Sequence, residues 1–393
     1  MYLMDSGIQT SNILFSKKRS KAFLDLAKKE TREDLIENLQ NLSNNQDLTS
    51  IFKIVKSVTS TSSWLSHSYY RYYKSLLESN ETKQKSFLTI KEEEIIQKVI
   101  RKNKAAFSEY ESEDIFKAIY KEALLSHTNN HISSRLILPR IEAVIVILDG
   151  VFNELFSQSF FERSLRKLSN EMGVTFLIPK ISGFQGTEEN SKIIHKEILG
   201  FSQKFPRKKF WLLGYSKGGI DALHYISQNK SFAEDKVVGL STLASPLLGV
   251  DKFNRGVLKT LVQIKNNFSN EKIRKDIFFE DIQKSLDSSF QRIWFLQNYK
   301  NLPKNIFYSS LGFETDWKKA HFWMLLTKAI FQSPKKNDGV VDCDDAHFPW
   351  FFPSINLGII DGHHLFGMRS TFHSQEAILE SLLIFLNFKG LLN

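Results

Sequence analysis

Two kinds of hydrophobic spacing divide the chain near residue 135. Before it, apolar positions recur every third or fourth residue, the period of a helix with one buried face. Leu35, Ile36, Leu39 and Leu42 make one stripe, preceded by the cap-like Thr31-Arg32-Glu33-Asp34. Ile95, Ile96, Val99 and Ile100 make a second, and Ile115, Phe116, Ile119, Tyr120, Ala123 and Leu124 a third, the cleanest of the set. Gly7 is the only glycine or proline before Pro139, so nothing here signals the tight turns of a sheet. No period of 20–50 residues repeats, which argues against a solenoid. The spacing predicts an N-terminal helical region over residues 1–135.

From Pro139 short apolar runs alternate with helical patterns, the signature of a mostly parallel sheet flanked by helices. An α/β domain is therefore expected over residues 136–393. Its strands are expected at Ala143–Leu148, Val174–Pro179, Lys209–Leu213, Val237–Leu243 and Asn305–Leu311. Helices are expected at Phe156–Met172, Ser191–Phe205, Gly219–Gln228, near Phe322–Phe331, and at the close from Gln375 to Phe388. A mostly helical insertion, about residues 251–300, follows the fourth strand. Phe253, Val257, Leu258, Leu261, Val262 and Ile264 give it an apolar face. Its ends leave the sheet at the carboxyl edge, where such sheets bind ligands, so it is expected to act as a lid.

Composition changes this picture little. The 393 residues are 42% hydrophobic and 13% aromatic, with 33 phenylalanines, ample for a large core and for an apolar binding surface. The formal charge of +10 divides into +4 over residues 1–138 and +6 over the rest. A charge so evenly spread serves solubility, and no nucleic-acid partner is expected. Tyr69, Tyr70, Tyr72 and Tyr73, interleaved with Arg71 and Lys74, are expected to pack on the neighbouring domain; stacking on bases and a peripheral membrane or lipid-surface contact are the other readings. A single cysteine, Cys343, permits no intrachain disulfide and suits a reducing compartment. No secretory signal is visible, and the longest apolar run, Ala143–Leu148, is too short to span a bilayer. A cytoplasmic location is expected.

The chemistry concentrates at Phe210-Trp211-Leu212-Leu213-Gly214-Tyr215-Ser216-Lys217-Gly218-Gly219. An apolar strand runs into Gly-x-Ser-x-Gly and a helix follows. A sharp strand-to-helix turn lifts a serine hydroxyl clear of its neighbours and aims helix N–H groups at the place where negative charge develops. An activated serine also needs a base and an orienting carboxylate. Asp338, in Asn337-Asp338-Gly339-Val340-Val341, and His364, in Asp361-Gly362-His363-His364-Leu365, stand in the required order later in the chain. Asp316, just past the fifth strand, is a rival acid, and His363 a rival base. Asp342, Asp344 and Asp345 with His347 match no metal-ligand spacing, and no metal is expected. Gly183 and Gly186 make no phosphate loop.

The order Ser216, Asp338, His364 is that of α/β-hydrolases. The region from Pro139 onward resembles that superfamily, and within it the bacterial triacylglycerol lipases and related esterases. The likeness rests on Ile306-Phe307-Tyr308-Ser309-Ser310, then Asn337-Asp338-Gly339-Val340-Val341, then His364-Leu365. It implies Ser216 as nucleophile, Asp338 as acid and His364 as base. Asp149-Gly150-Val151 looks like the family's oxyanion loop, with Asp149 where histidine is usual. The resemblance then assigns the oxyanion donors to the backbone N–H groups of Val151 and Lys217. Phe366 stands where many of these lipases carry a calcium-binding aspartate, so no such calcium site is expected.

The machinery so assembled is expected to hydrolyse carboxylic esters, of lipids or other apolar acyl groups, through an acyl-enzyme and without a cofactor. An acyltransferase or thioesterase would use the same residues. A non-catalytic hydrolase-fold interaction protein would keep the fold alone. The Lys217 ammonium, directly after the serine, is expected to favour an anionic substrate.

Overall fold

The computed structural model describes residues 88–128, 135–138, 140–151, 159–251, 279–316, 327–328, 333, 335–364 and 374–392. Among the described residues three helices come first: α1 (Ile90–Ile100), α2 (Ala106–Glu109) and α3 (Ser112–Thr128). Thr89 and Glu92 close a reciprocal capping box on α1, satisfying two N–H groups that a helix start leaves without acceptors. The second and third apolar stripes fall on α1 and α3. The stripe at Leu35–Leu42 and the tyrosine cluster lie outside the described residues.

The remaining elements alternate: β1 (Val144–Leu148), α4 (Glu162–Met172), β2 (Phe176–Leu177), α5 (Thr187–Lys204), β3 (Phe210–Tyr215), α6 (Lys217–Gln228), α7 (Lys230–Lys236) and β4 (Val237–Leu243). After these come α8 (Phe279–Leu286), α9 (Ser288–Asn298), β5 (Phe307–Glu314), β6 (Ile355–Asp361) and α10 (Gln375–Phe388). The six strands form one sheet in the order β2-β1-β3-β4-β5-β6, every pairing parallel. The strand order reverses between β1 and β3, which opens a crevice beyond their carboxyl ends.

A parallel sheet is buried on both faces, so its strands need apolar residues on both. In β1, Ile145 and Ile147 face one core while Val144, Val146 and Leu148 face the other; in β3, Trp211, Leu213 and Tyr215 oppose Phe210 and Leu212. The first face is covered by α1, α3, α4 and α10, and the second by α5, α6, α7 and α9. Ile115, Phe116, Ile119 and Ala123 of α3 thus belong to one continuous core with the sheet and α10. Arg135 clamps this layer through Glu93 of α1 and Glu122 of α3.

Three departures from the sequence expectation concern elements. β6 is a strand of seven residues where only the pair Ile359-Ile360 stood out. Gly358 interrupts its apolar pattern at φ 87°, where a Cβ would sit 2.5 Å from the Glu113 side chain of α3. The pairing with β5 also shifts register between Ser310 and Gly312, an irregularity that hides a strand from pattern reading. α7 is too polar to register as a separate helix. Of the insertion, the apolar stripe at Phe253–Ile264 lies outside the described residues. Its described part, α8 and α9, packs on the flank of α5 and α6: Ser285 Oγ accepts the Thr187 N–H at 3.3 Å, and Trp294 stacks on His224 at 3.8 Å. Among the described residues no helix is long and apolar enough to cross a membrane.

Candidate active site

β3 turns into α6 at a single residue, Ser216. Its backbone sits at φ 53°, ψ −131°, a region that costs a residue with a Cβ on the order of 1–3 kcal/mol. The neighbouring strand β4 and the first turn of α6 hold it there. The Ser216 N–H donates to the Leu243 carbonyl at 3.0 Å, and the Gly219 N–H to the Ser216 carbonyl at 3.1 Å. The turn closes only because glycine occupies its tightest point: a Cβ on Gly218 would lie 1.9 Å from the Leu148 carbonyl oxygen.

The loops beyond β5 and β6 bring the other two side chains to this turn. His364 Nε2 lies 2.8 Å from Ser216 Oγ, and His364 Nδ1 lies 2.7 Å from Asp338 Oδ2. The second carboxylate oxygen, Oδ1, accepts the backbone N–H groups of Val340 and Val341 at 2.9 and 2.8 Å. The His364 N–H in turn donates to the Asp338 carbonyl at 2.8 Å. A carboxylate facing Nδ1 requires the ring proton there, which leaves the Nε2 lone pair directed at the serine hydroxyl. All three side chains are buried, Ser216 at 5%, Asp338 at 1% and His364 at 0% exposure.

Of the rival residues, Asp316 is exposed past the end of β5, and His363 is buried beside His364. The ring that meets Ser216 and Asp338 is that of His364. Sequence reasoning missed the support beneath it. The Tyr215 hydroxyl, on the residue before the serine, donates to the His364 carbonyl, and its ring stacks on Phe160 at 4.4 Å. Lys328 Nζ donates to Asn337 Oδ1 at 2.8 Å, steadying the loop that carries Asp338. Burial pushes the Lys328 ammonium below its usual range, and the Asp338 charge opposes that fall.

Gly150 faces the serine from the end of β1: a Cβ there would sit 2.5 Å from Ser216 Cβ and 3.1 Å from the Lys217 nitrogen. The Asp149-Gly150-Val151 loop and the start of α6 therefore meet at Ser216. Asp149 takes part as a tether, its Oδ1 accepting the Phe160 N–H at 3.1 Å. The Lys217 N–H belongs to the first turn of α6, where no intrahelical acceptor exists. The Lys217 side chain corrects an expectation. It is fully buried, with Nζ at 2.8 Å from Asp221 Oδ1, so its charge is spent inside the protein and not offered to an anionic substrate.

No protein-family profile matches the chain, and no curated protein matches it. Among solved structures it is similar to a metagenomic carboxyl esterase, with TM-score 0.53 and 19% identity over 65% of this chain and 79% of that one. The chain has the α/β-hydrolase fold. A lipase of Bacillus licheniformis in its mature form is also matched, with TM-score 0.41 and 20% identity over 65% of this chain and 93% of that one.

Elsewhere in this hydrolase fold, the Asp345, His347 and Cys343 side chains are engaged within the protein. Among the described residues no group of three or more His, Cys, Asp or Glu is arranged to hold a metal. Asp345 pairs instead with Arg292 at 3.4 Å, and His347 Nδ1 lies 3.0 Å from Ser310 Oγ. Cys343 is buried, and burial together with the Asp338 charge pushes its thiol up to about 12, far from a reactive thiolate.

Proposed function

We propose that the protein is a serine hydrolase of carboxylic esters, with Ser216 as nucleophile, His364 as base and Asp338 as the carboxylate that orients it. The observation that carries this reading is the unbroken hydrogen-bonded chain from Ser216 Oγ through both nitrogens of His364 to Asp338, set on a strained turn at the carboxyl ends of the strands. Ser216 Oγ bonds to the ester carbonyl carbon as its proton passes to His364 Nε2. Asp338 offsets the positive charge that then develops on the ring. The tetrahedral oxyanion rests on the backbone N–H groups of Val151 and Lys217. The carbon–oxygen bond to the leaving alcohol breaks as Nε2 returns the proton, and water releases the acyl group by the same sequence. The substrate proposed is the ester of a lipid or another apolar acyl chain, and the single buried thiol suits a reducing compartment such as the cytoplasm.

An active-site label and a chain-length series test the two halves of this proposal separately. A fluorophosphonate should label the protein at Ser216, and Ser216→Ala should abolish labelling and lower ester turnover by about three orders of magnitude or more. Labelling that persists in Ser216→Ala, or that maps to another serine, refutes the nucleophile. Across p-nitrophenyl esters kcat/KM should be higher for chains of about eight carbons than for acetate, since each buried methylene contributes on the order of 0.8 kcal/mol. A flat or falling series removes the lipid substrate and leaves the esterase.

A further inference from the structure

Beneath the candidate oxyanion site lies a charged group that the proposed chemistry does not use. Lys217, Asp221 and Asn190 are each 0% exposed. Lys217 Nζ donates to Asp221 Oδ1 at 2.8 Å and to Oδ2 at 3.0 Å. Asp221 Oδ2 also accepts from Asn190 Nδ2 at 2.8 Å. Asn190 then grips the backbone of Ser182 from both sides: Nδ2 donates to the Ser182 carbonyl at 2.8 Å, and Oδ1 accepts the Ser182 N–H at 3.2 Å. The next residue, Gly183, lies flat against the loop after β1. A Cβ on it would sit 2.4 Å from Val151 Cα and 2.9 Å from the Val151 nitrogen. One hydrogen-bonded path thus runs from the residue that carries one oxyanion donor to the segment that backs the other.

Stability does not account for this arrangement. Removing two charges from water costs more than their attraction returns in many buried pairs, and apolar residues of the same volume serve as well or better. The lysine stands at the positive end of the helix dipole, with its acid four residues towards the C-terminus, the weaker orientation for such a pair. What the pair supplies is direction, because each of its hydrogen bonds permits only a narrow geometry. Oxyanion donors need such control. The Val151 and Lys217 N–H groups come from loops after two different strands, and a misplacement of about 1 Å is worth on the order of a hundredfold in rate.

We infer that Lys217, Asp221 and Asn190 form a buried clamp that fixes the spacing between the Val151 and Lys217 backbone donors, so that all three are positioning residues for the oxyanion. The inference rests on the ester-hydrolase reading above. The clamp acts on the transition state and not on substrate binding, so its loss lowers kcat and leaves KM in place.

The test is the charge-free pair Lys217→Met with Asp221→Leu, similar in volume and leaving no charge behind. Its urea unfolding midpoint should equal or exceed the parent's. Its kcat on a p-nitrophenyl ester should fall at least about tenfold with KM within about twofold, and its fluorophosphonate labelling rate should fall by the same factor as kcat. A pair variant that folds and keeps kcat within twofold overturns the clamp. Asn190→Ala, which leaves the Lys217–Asp221 ion pair in place and removes the hydrogen bonds of Asn190 to Asp221 and to Ser182, is held to the same kinetic criteria and decides the matter if the pair variant does not fold. Ser216→Ala runs alongside. If it is inactive while both clamp variants keep full kcat, the clamp alone fails; if it retains turnover, the ester-hydrolase reading fails and takes the clamp with it.

Discussion

Replacing Asp338 by asparagine keeps shape and volume and reverses one hydrogen bond. The outcome follows from how the carboxylate is held. Oδ1 accepts two backbone N–H groups, from Val340 and Val341, while Oδ2 faces His364 Nδ1. An asparagine has one oxygen and one NH2 for these two places. Turning the NH2 toward Val340 and Val341 sets donor against two donors in a buried site, a loss of two hydrogen bonds at about 1–3 kcal/mol each. The favoured orientation therefore keeps the oxygen on the backbone and points the NH2 at Nδ1. The ring must then accept at Nδ1 and carry its proton on Nε2, where it can no longer take the proton of Ser216. The expected loss in kcat is on the order of 10⁴, the scale of a wrong-tautomer triad, or about 5.5 kcal/mol of transition-state stabilisation. Steady-state kinetics on a p-nitrophenyl ester measure it, and urea unfolding should move by less than about 1.5 kcal/mol because both backbone donors keep their acceptor. An Asp338→Asn enzyme within tenfold of the parent would refute the assignment of the acid and direct attention to Asp316.

Other consequences are equally open to measurement. Tyr215→Phe keeps the ring stacked on Phe160 but removes the hydroxyl's hydrogen bond to the buried His364 carbonyl, so stability should fall by about 0.5–1.5 kcal/mol and kcat should fall with it; unchanged kinetics would show that the His364 backbone needs no such anchor. Gly183→Ala puts a methyl 2.4 Å from Val151 Cα, so the β1 loop must shift by about 1 Å and kcat should drop on the order of a hundredfold, whereas parental kcat would exclude Val151 as a donor. Burial holds His224 down to about 3 and His347 down to about 4, while both titrate near 6.5 once unfolded. The unfolded chain therefore binds protons that the folded one refuses as pH falls below about 6.5, so this stability is fully present above that pH and is lost below it. Each histidine costs about 1.4 kcal/mol by pH 5.5. Equal urea midpoints at pH 7.5 and 5.5 would contradict the burial argument.

What local pattern controls was legible in the sequence. β4 and α10 span the residues that hydrophobic spacing indicates, because a two-sided buried strand and an all-round apolar helix write their environment into consecutive side chains. The strand–Gly-x-Ser-x-Gly–helix turn was readable for the same reason: its geometry depends on residues in direct succession. β6 was not, since Gly358 and the register shift break its pattern to admit Glu113 from α3, a partner far away in the chain. Nor could spacing decide between Asp338 and Asp316, or between His363 and His364. That choice depends on which side chains the loops beyond β5 and β6 deliver to Ser216, at distances that only the packed sheet sets. The Lys217–Asp221–Asn190 path shows the division most sharply. The first pair is an i,i+4 spacing visible in the sequence, but its burial and its continuation to Ser182 arise only where α5 packs on α6. A hydrogen bond between residues distant in sequence has no local signature; it exists because two buried faces that were each separately legible come to lie against one another.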